Sequence, residues 1–133
     1  MVNHIIVDIL NREIKDLLCI YLFGSYIEEG KYKKDSDIDI AFLAEEGLDN
    51  ITRWEISNIL ADKLKRDIDL IDLRGVSTVM KAQIMTNGLS IYESDKKKRE
   101  NFEMLSLSDY ARLNEERKEI IERIKREGLV YAR

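Results

Sequence analysis

Leu22-Phe23-Gly24-Ser25, followed after ten residues by Ser36-Asp37-Ile38-Asp39-Ile40, decides how this chain is read. An apolar run ends in a Gly-Ser turn, and a second apolar run carries two carboxylates at i and i+2. In a β-strand those positions face the same way, so Asp37 and Asp39 project together while Ile38 and Ile40 point to the opposite face. Two adjacent carboxylates repel, which pushes one toward protonation. A divalent cation removes the conflict, and Mg²⁺ favours a few carboxylates together with substrate phosphate oxygens. Glycine lets backbone approach a bulky anion, and the amides that follow can face phosphate. Together these are the parts of a nucleotide-phosphate and metal site. A lone Asp-x-Asp is usually a solvated strand end; the ordered combination carries the signal.

Working outward, residues 18–23 read as a buried strand and residues 37–43 as a second one. A third acid-bearing run, Asp67-Ile68-Asp69-Leu70-Ile71-Asp72-Leu73, reads as a third strand. Alternation puts Asp67 and Asp69 on one face and Asp72 on the other. Residues 2–15 carry Ile5, Ile6, Ile9, Leu10 and Ile14 at helical spacing, with His4 as a surface residue of that helix. A helix over about 51–65 presents Trp54, Ile56, Ile59, Leu60 and Leu64 as its apolar stripe. Ser77 caps a helix over about 78–87 that ends near Asn87-Gly88, and Leu89 to Tyr92 alternate as an edge strand. A short helical turn is expected from Ser25. Strands separated by helices imply an α/β layered fold: a small mixed β-sheet with helices packed on it.

The last third is charged. Ser106 and Asp109 stand at capping-box spacing, opening a helix over about 107–127 with Gly128 as its stop. Its stripe of Tyr110, Leu113, Ile120, Ile121 and Ile124 needs a partner: the chain's own sheet, a second copy in a homodimer, or another protein.

The 133 residues suggest one domain, with about 1–92 as a catalytic core and about 94–133 as a helical extension. Hydrophobic residues at 44% with charged residues at 36% fit a soluble globular chain with a real core. The one cysteine, Cys19, lies in an apolar run and reads as a core residue. There is no His/Cys cluster for zinc, no P-loop and no G-x-G-x-x-G fingerprint. A net charge of −4 argues against a dedicated nucleic-acid binder. No signal peptide or membrane-length apolar run is visible, so a cytoplasmic location is the expectation. Lys31, Lys33 and Lys34 precede the Asp pair and could attract a triphosphate, whereas Lys96-Lys97-Lys98-Arg99 reads as a solvated turn.

The Gly-Ser turn, the spacer and the Ser-Asp-x-Asp strand resemble the nucleotidyltransferases of the DNA polymerase beta superfamily. The nearest likeness is to the MNT-domain antitoxins of HEPN–MNT pairs. Residues 72–92 look like the segment after the third acid in those proteins, and residues 109–131 look like their C-terminal helix and tail. The resemblance implies a nucleotidyltransferase fold and Mg-dependent transfer of AMP from ATP to a tyrosine of a HEPN-domain ribonuclease toxin (HepT-like), which silences it. It implies Asp37, Asp39 and Asp69 as catalytic metal ligands for two Mg²⁺ ions. Gly24, Ser25 and Ser36 would hold the nucleotide. Asp67 remains the main competitor to Asp69, with Asp72 ranked third. One departure stands out. The family commonly reads Gly-Ser-x-Ala-Arg-Gly with nine residues before the next Ser-Asp. Here Glu28 follows Gly24-Ser25-Tyr26-Ile27, and ten residues precede Ser36. Two other readings stay open. One is transfer to a small hydroxyl compound, although few residues are left for a substrate domain. The other is a non-catalytic antitoxin that blocks its toxin by contact.

Overall fold

The structure is a computed structural model, and it describes residues 2–24 and 37–127. The helical turn expected from Ser25, the spacer lysines and Gly128 lie outside those residues. The element order is α1 (Val2–Glu13), β1 (Leu17–Phe23), β2 (Ile38–Ala44), α2 (Asn50–Leu64), β3 (Ile68–Asp72), α3 (Thr78–Asn87), β4 (Leu89–Glu93) and α4 (Lys96–Glu127). The strands form one mixed sheet in the order β3-β2-β1-β4. β1 runs antiparallel to both β2 and β4, while β2 and β3 are parallel.

The two central strands are buried almost throughout, as continuous apolar runs covered on both faces must be. One face packs under α1 and α2: Ile6, Leu10, Ile56 and Leu60 lie with Ile20, Leu22, Ile38, Ile40 and Phe42. On the other face Tyr21, Ala41, Leu43, Ile71 and Leu73 lie with Ile84 of α3 and Phe102 of α4. Alternation along β2 therefore sends Ile38 and Ile40 into the first layer and Asp37 and Asp39 to the α3–α4 side.

Side chains fix the element ends. Asp49 accepts from the Thr52 amide at 2.6 Å to open α2, and Lys65 closes it in the left-handed conformation. Ser77 accepts from the Met80 amide at 3.1 Å to open α3, as its sequence position indicated. Cys19 is buried and His4 is exposed, both as expected.

Three local expectations are corrected. The capping box at Ser106 does not form. α4 opens eleven residues earlier, where Asp95 accepts from the Lys98 amide at 3.1 Å, and Ser106 sits buried in the helix interior. With no proline or glycine between 96 and 127, nothing stops the helix there. Lys96-Lys97-Lys98-Arg99 is accordingly the first turn of α4 rather than a loop. Arg99 is anchored: it pairs with Glu93 and with Glu103, which in turn accepts from the Tyr21 hydroxyl. Trp54, one of the apolar stripe expected on α2, is 65% exposed. It lies about 200° around the helix from Ile56, at ~100° per residue.

Candidate active site

The carboxylates collect where β1 ends and β2 and β3 begin. In the parallel ladder Asp39 is the Cα partner of Asp69, and Ile38 is that of Ile68. Directly paired residues share a face, so Asp69 stands beside Asp39 on the α3–α4 side. On the other flank of β2, Asp39 is the Cα partner of Phe23, the last residue of β1. Asp37 is exposed, Asp39 half-buried and Asp69 exposed.

Asp39 carries the electrostatic load. Burial raises its carboxyl above the ordinary carboxylate range, and the negative charges of Asp69 and Asp37 push it further in the same direction. This is the conflict that two facing carboxylates create.

Gly24 closes the site from the β1 side. Its φ is +77°, and a Cβ built there would lie 2.0 Å from Oδ2 of Asp39. A side chain there would be strained by the left-handed backbone and would have to push the Asp39 carboxylate aside. The glycine that the Gly-Ser turn requires thus lets β1 pass directly against Asp39.

The competing acids sit at the two ends of β3. Asp67 is exposed, and its carbonyl accepts from the Ile38 amide at 2.9 Å. Asp72 is 8% exposed and accepts from the amides of Leu48 and Arg74, each at 2.9 Å. Two backbone donors give Asp72 a structural task, away from the other acids. Ser25 and Ser36 lie outside the described residues.

Among the described residues, no three His, Cys, Asp or Glu side chains are placed as a ready cage for a metal ion. The donor chemistry nevertheless fits Mg²⁺: hard carboxylate oxygens on two adjacent strands, with the space against Asp39 left free of any Gly24 side chain. Mg²⁺ commonly takes one or two carboxylates and completes its shell with water and substrate phosphate.

One feature beside the site escaped the sequence reading. Arg53, Trp54 and Ser57 of α2 line a cleft of about 240 Å³ with Asp69 and Leu70 of β3. The helical angle of Trp54 was its available signal. No helix among the described residues is long and apolar enough to cross a membrane.

Comparison with known proteins identifies the family. The family model described as Polymerase beta, Nucleotidyltransferase matches residues 4–97. The chain is 44% identical over 117 residues to the protein adenylyltransferase MntA of Shewanella oneidensis, covering 88% of this chain and 83% of that one. It is similar to a chain in the crystal structure of a toxin–antitoxin with AMP-PNP, with a TM-score of 0.80 and 41% identity over 92% of this chain and 97% of the other. It is also similar to a chain in the structure of tri-AMPylated Shewanella oneidensis HEPN toxin in complex with MNT antitoxin. There the TM-score is 0.77, at 41% identity over 92% and 95% of the two chains. The chain belongs to the polymerase beta nucleotidyltransferase family.

Proposed function

We propose that this protein is an antitoxin that transfers AMP from ATP to a tyrosine hydroxyl of a partner HEPN-domain ribonuclease and so inactivates it. The observation that carries the reading is the set of acids at one strand end: Asp39 aligned with Asp69, Asp37 two residues before Asp39, and Gly24 held against Asp39. The likeness to an adenylyltransferase, and to chains solved with AMP-PNP and with an AMPylated HEPN toxin, supports the donor, the acceptor class and the partner.

In this reading Asp37, Asp39 and Asp69 would hold Mg²⁺, two ions in the family scheme. When bound, such ions neutralise charge on the entering and leaving oxygens of an in-line displacement. The protein's own groups do the rest. Gly24 leaves room for the polyphosphate at the end of β1, and Ser25 and Ser36 are assigned to the same nucleotide. Asp69 lies farthest from Gly24 across the strand order, so it orients the tyrosine and accepts its phenolic proton. A phenol ionises near ~10, so a nearby carboxylate or cation is needed at neutral pH. The tyrosine O–P bond forms, the bond from the α-phosphorus to the bridging oxygen breaks, and pyrophosphate leaves with that electron pair. About 1–92 form the catalytic core and about 94–133 an extension toward the partner, and the protein works in the cytoplasm.

The test uses the full-length protein, its HEPN partner, Mg²⁺ and ATP. Label on the α-phosphate is expected to pass to the partner, and label on the γ-phosphate is not. Transfer of γ-label would make the protein a kinase, and transfer of neither would end the enzymatic reading.

A further inference from the structure

We propose that the groove between α3 and α4 seats the adenine of ATP: the Tyr110 ring stacks on the base, the Gln83 amide reads its edge, and Asn87 faces the ribose. The inference rests on the AMP-transfer reading and assigns the part of that same site that selects the nucleotide.

Three observations lead there. The first is position. Along their strands Asp39 alternates with Ala41 and Asp69 with Ile71, the residues that lie in one layer with Ile84 of α3 and Phe102 of α4. Acids and groove therefore share a face of the sheet. Both helices run toward the catalytic strand end. Lys81, near the start of α3, stands 5.7 Å from the Phe102 ring, whereas Thr86 and Asn87 at its end line the groove with Tyr110. There α3 meets β1. A Cβ built at Gly88 would lie 3.2 Å from the Leu22 carbonyl oxygen, and the next residue, Phe23, is the Cα partner of Asp39. From the start of β4 to Asp39 is two strand spacings, about 10 Å at ~4.8 Å each. A ribose and its base bridge that span from a phosphate held at the acids.

The second is the flank of α3 that lines the groove. Ile84 packs against the sheet. At ~100° per residue, Gln83 and Asn87 stand about 100° and 60° from Ile84 on one flank, and Lys81 stands about 60° away on the other. Lys81 faces Phe102, and the first turns of α4 are tied to Glu45 and Glu93 at the strand ends remote from Asp39. The Gln83–Asn87 flank is therefore the one turned toward the acids. Asn87 lies nearer the sheet and Gln83 one turn farther out. That is the order of a nucleotide: phosphate at the acids, then ribose, then base.

The third is size and chemistry. The groove holds about 190 Å³, below the ~300–1,000 Å³ of pockets that enclose whole small ligands. It suits a base rather than a whole ATP molecule. Tyr110 is half-buried, and an aromatic ring stacks on any base. Selection needs a polar edge. A Gln or Asn amide, with a donor and an acceptor side by side, matches N6 and N7 of adenine, whereas guanine offers two acceptors there. Gln83, Thr86 and Asn87 are exposed, and among the described residues their side chains have no hydrogen-bond partner.

The test is calorimetric binding to the full-length protein with Mg²⁺ and without the partner ribonuclease. AMP-PNP is expected to bind about tenfold tighter than GMP-PNP or more, the value of one matched amide pair. Gln83→Leu should bring the two within about twofold by weakening AMP-PNP alone. Tyr110→Ala should weaken both about tenfold, and Tyr110→Phe should restore both. Tripolyphosphate, which has no base, should bind every variant like the unsubstituted protein. An unchanged preference in Gln83→Leu, or equal losses of AMP-PNP and tripolyphosphate in Tyr110→Ala, would overturn the proposal. So would an unsubstituted protein that does not prefer AMP-PNP. A protein that binds as expected but passes no label to its partner would count against AMP transfer and leave the base groove standing.

Discussion

Asp39 and Asp69 are direct Cα partners across the parallel ladder of β2 and β3. The pairing supports the proposal that Asp69, rather than Asp67 or Asp72, acts with the Asp-x-Asp strand. Asp69→Ala, Asp37→Ala and Asp39→Ala should each lower transfer on the order of a hundredfold or more, the scale of losing one charge-stabilising group. Asp67→Ala should stay near the unsubstituted rate. Steady-state transfer rates of the four purified variants check this, and the reverse ranking of Asp67 and Asp69 would refute it.

Gly24→Ala puts a methyl carbon 2.0 Å from Oδ2 of Asp39, on a backbone with φ +77°. The left-handed strain alone is about 1–2 kcal/mol. The variant should remain folded by circular dichroism, melt several degrees lower and lose transfer. Unchanged activity would mean that the close approach of Gly24 to Asp39 is not needed.

Asp72→Ala should separate stability from catalysis. It leaves the Leu48 and Arg74 amides without their acceptor, at a cost of about 1–3 kcal/mol. Denaturant unfolding should show that loss, while the folded fraction keeps its transfer rate. A selective loss of transfer would return Asp72 to the site.

Cys19 is fully buried, and burial pushes its thiol up to about 12. At pH 8 it is therefore almost wholly protonated, and the thiolate is the reactive form. A disulfide exchange reagent should leave the native protein unmodified and react once denaturant is added. Rapid reaction of the folded protein would contradict the packing of β1.

The distal half of α4 should be dispensable for folding. Its 32 residues span about 48 Å at ~1.5 Å each. Residues 114–127 are exposed throughout, including Ile120, Ile121 and Ile124 at 51–58%. Deleting 114–133 should keep the melting temperature near that of the full chain and weaken binding to the partner ribonuclease or to a second copy. A large fall in melting temperature would show that the stripe is core.

Most of the fold was legible because its signals are local. Continuous apolar runs marked β1 and β2, alternation grouped the acids by face, and Ser77 marked a helix start. Strand partners were not legible, since pairing is a long-range choice. Only the ladder shows that Asp69 meets Asp39 and that β1 lies between β2 and β4. The misses have a common cause. Ser106 with Asp109 satisfied a short capping pattern, but an uninterrupted helix from Asp95 overrode it. Trp54 joins the apolar stripe of its helix by hydrophobicity, but its helical angle turns it away from Ile56. Arg99 looked solvated inside a run of lysines, yet Glu93 and Glu103 recruit it to the Tyr21 hydroxyl.

The most direct measurement is the intact mass of the partner ribonuclease after incubation with this protein, Mg²⁺ and ATP, followed by its ribonuclease activity. The account expects one or more adenylyl groups on a partner tyrosine and loss of ribonuclease activity, with neither change for the Asp39→Ala protein. Inhibition by the Asp39→Ala protein with no gain in partner mass would contradict it and establish neutralisation by contact instead.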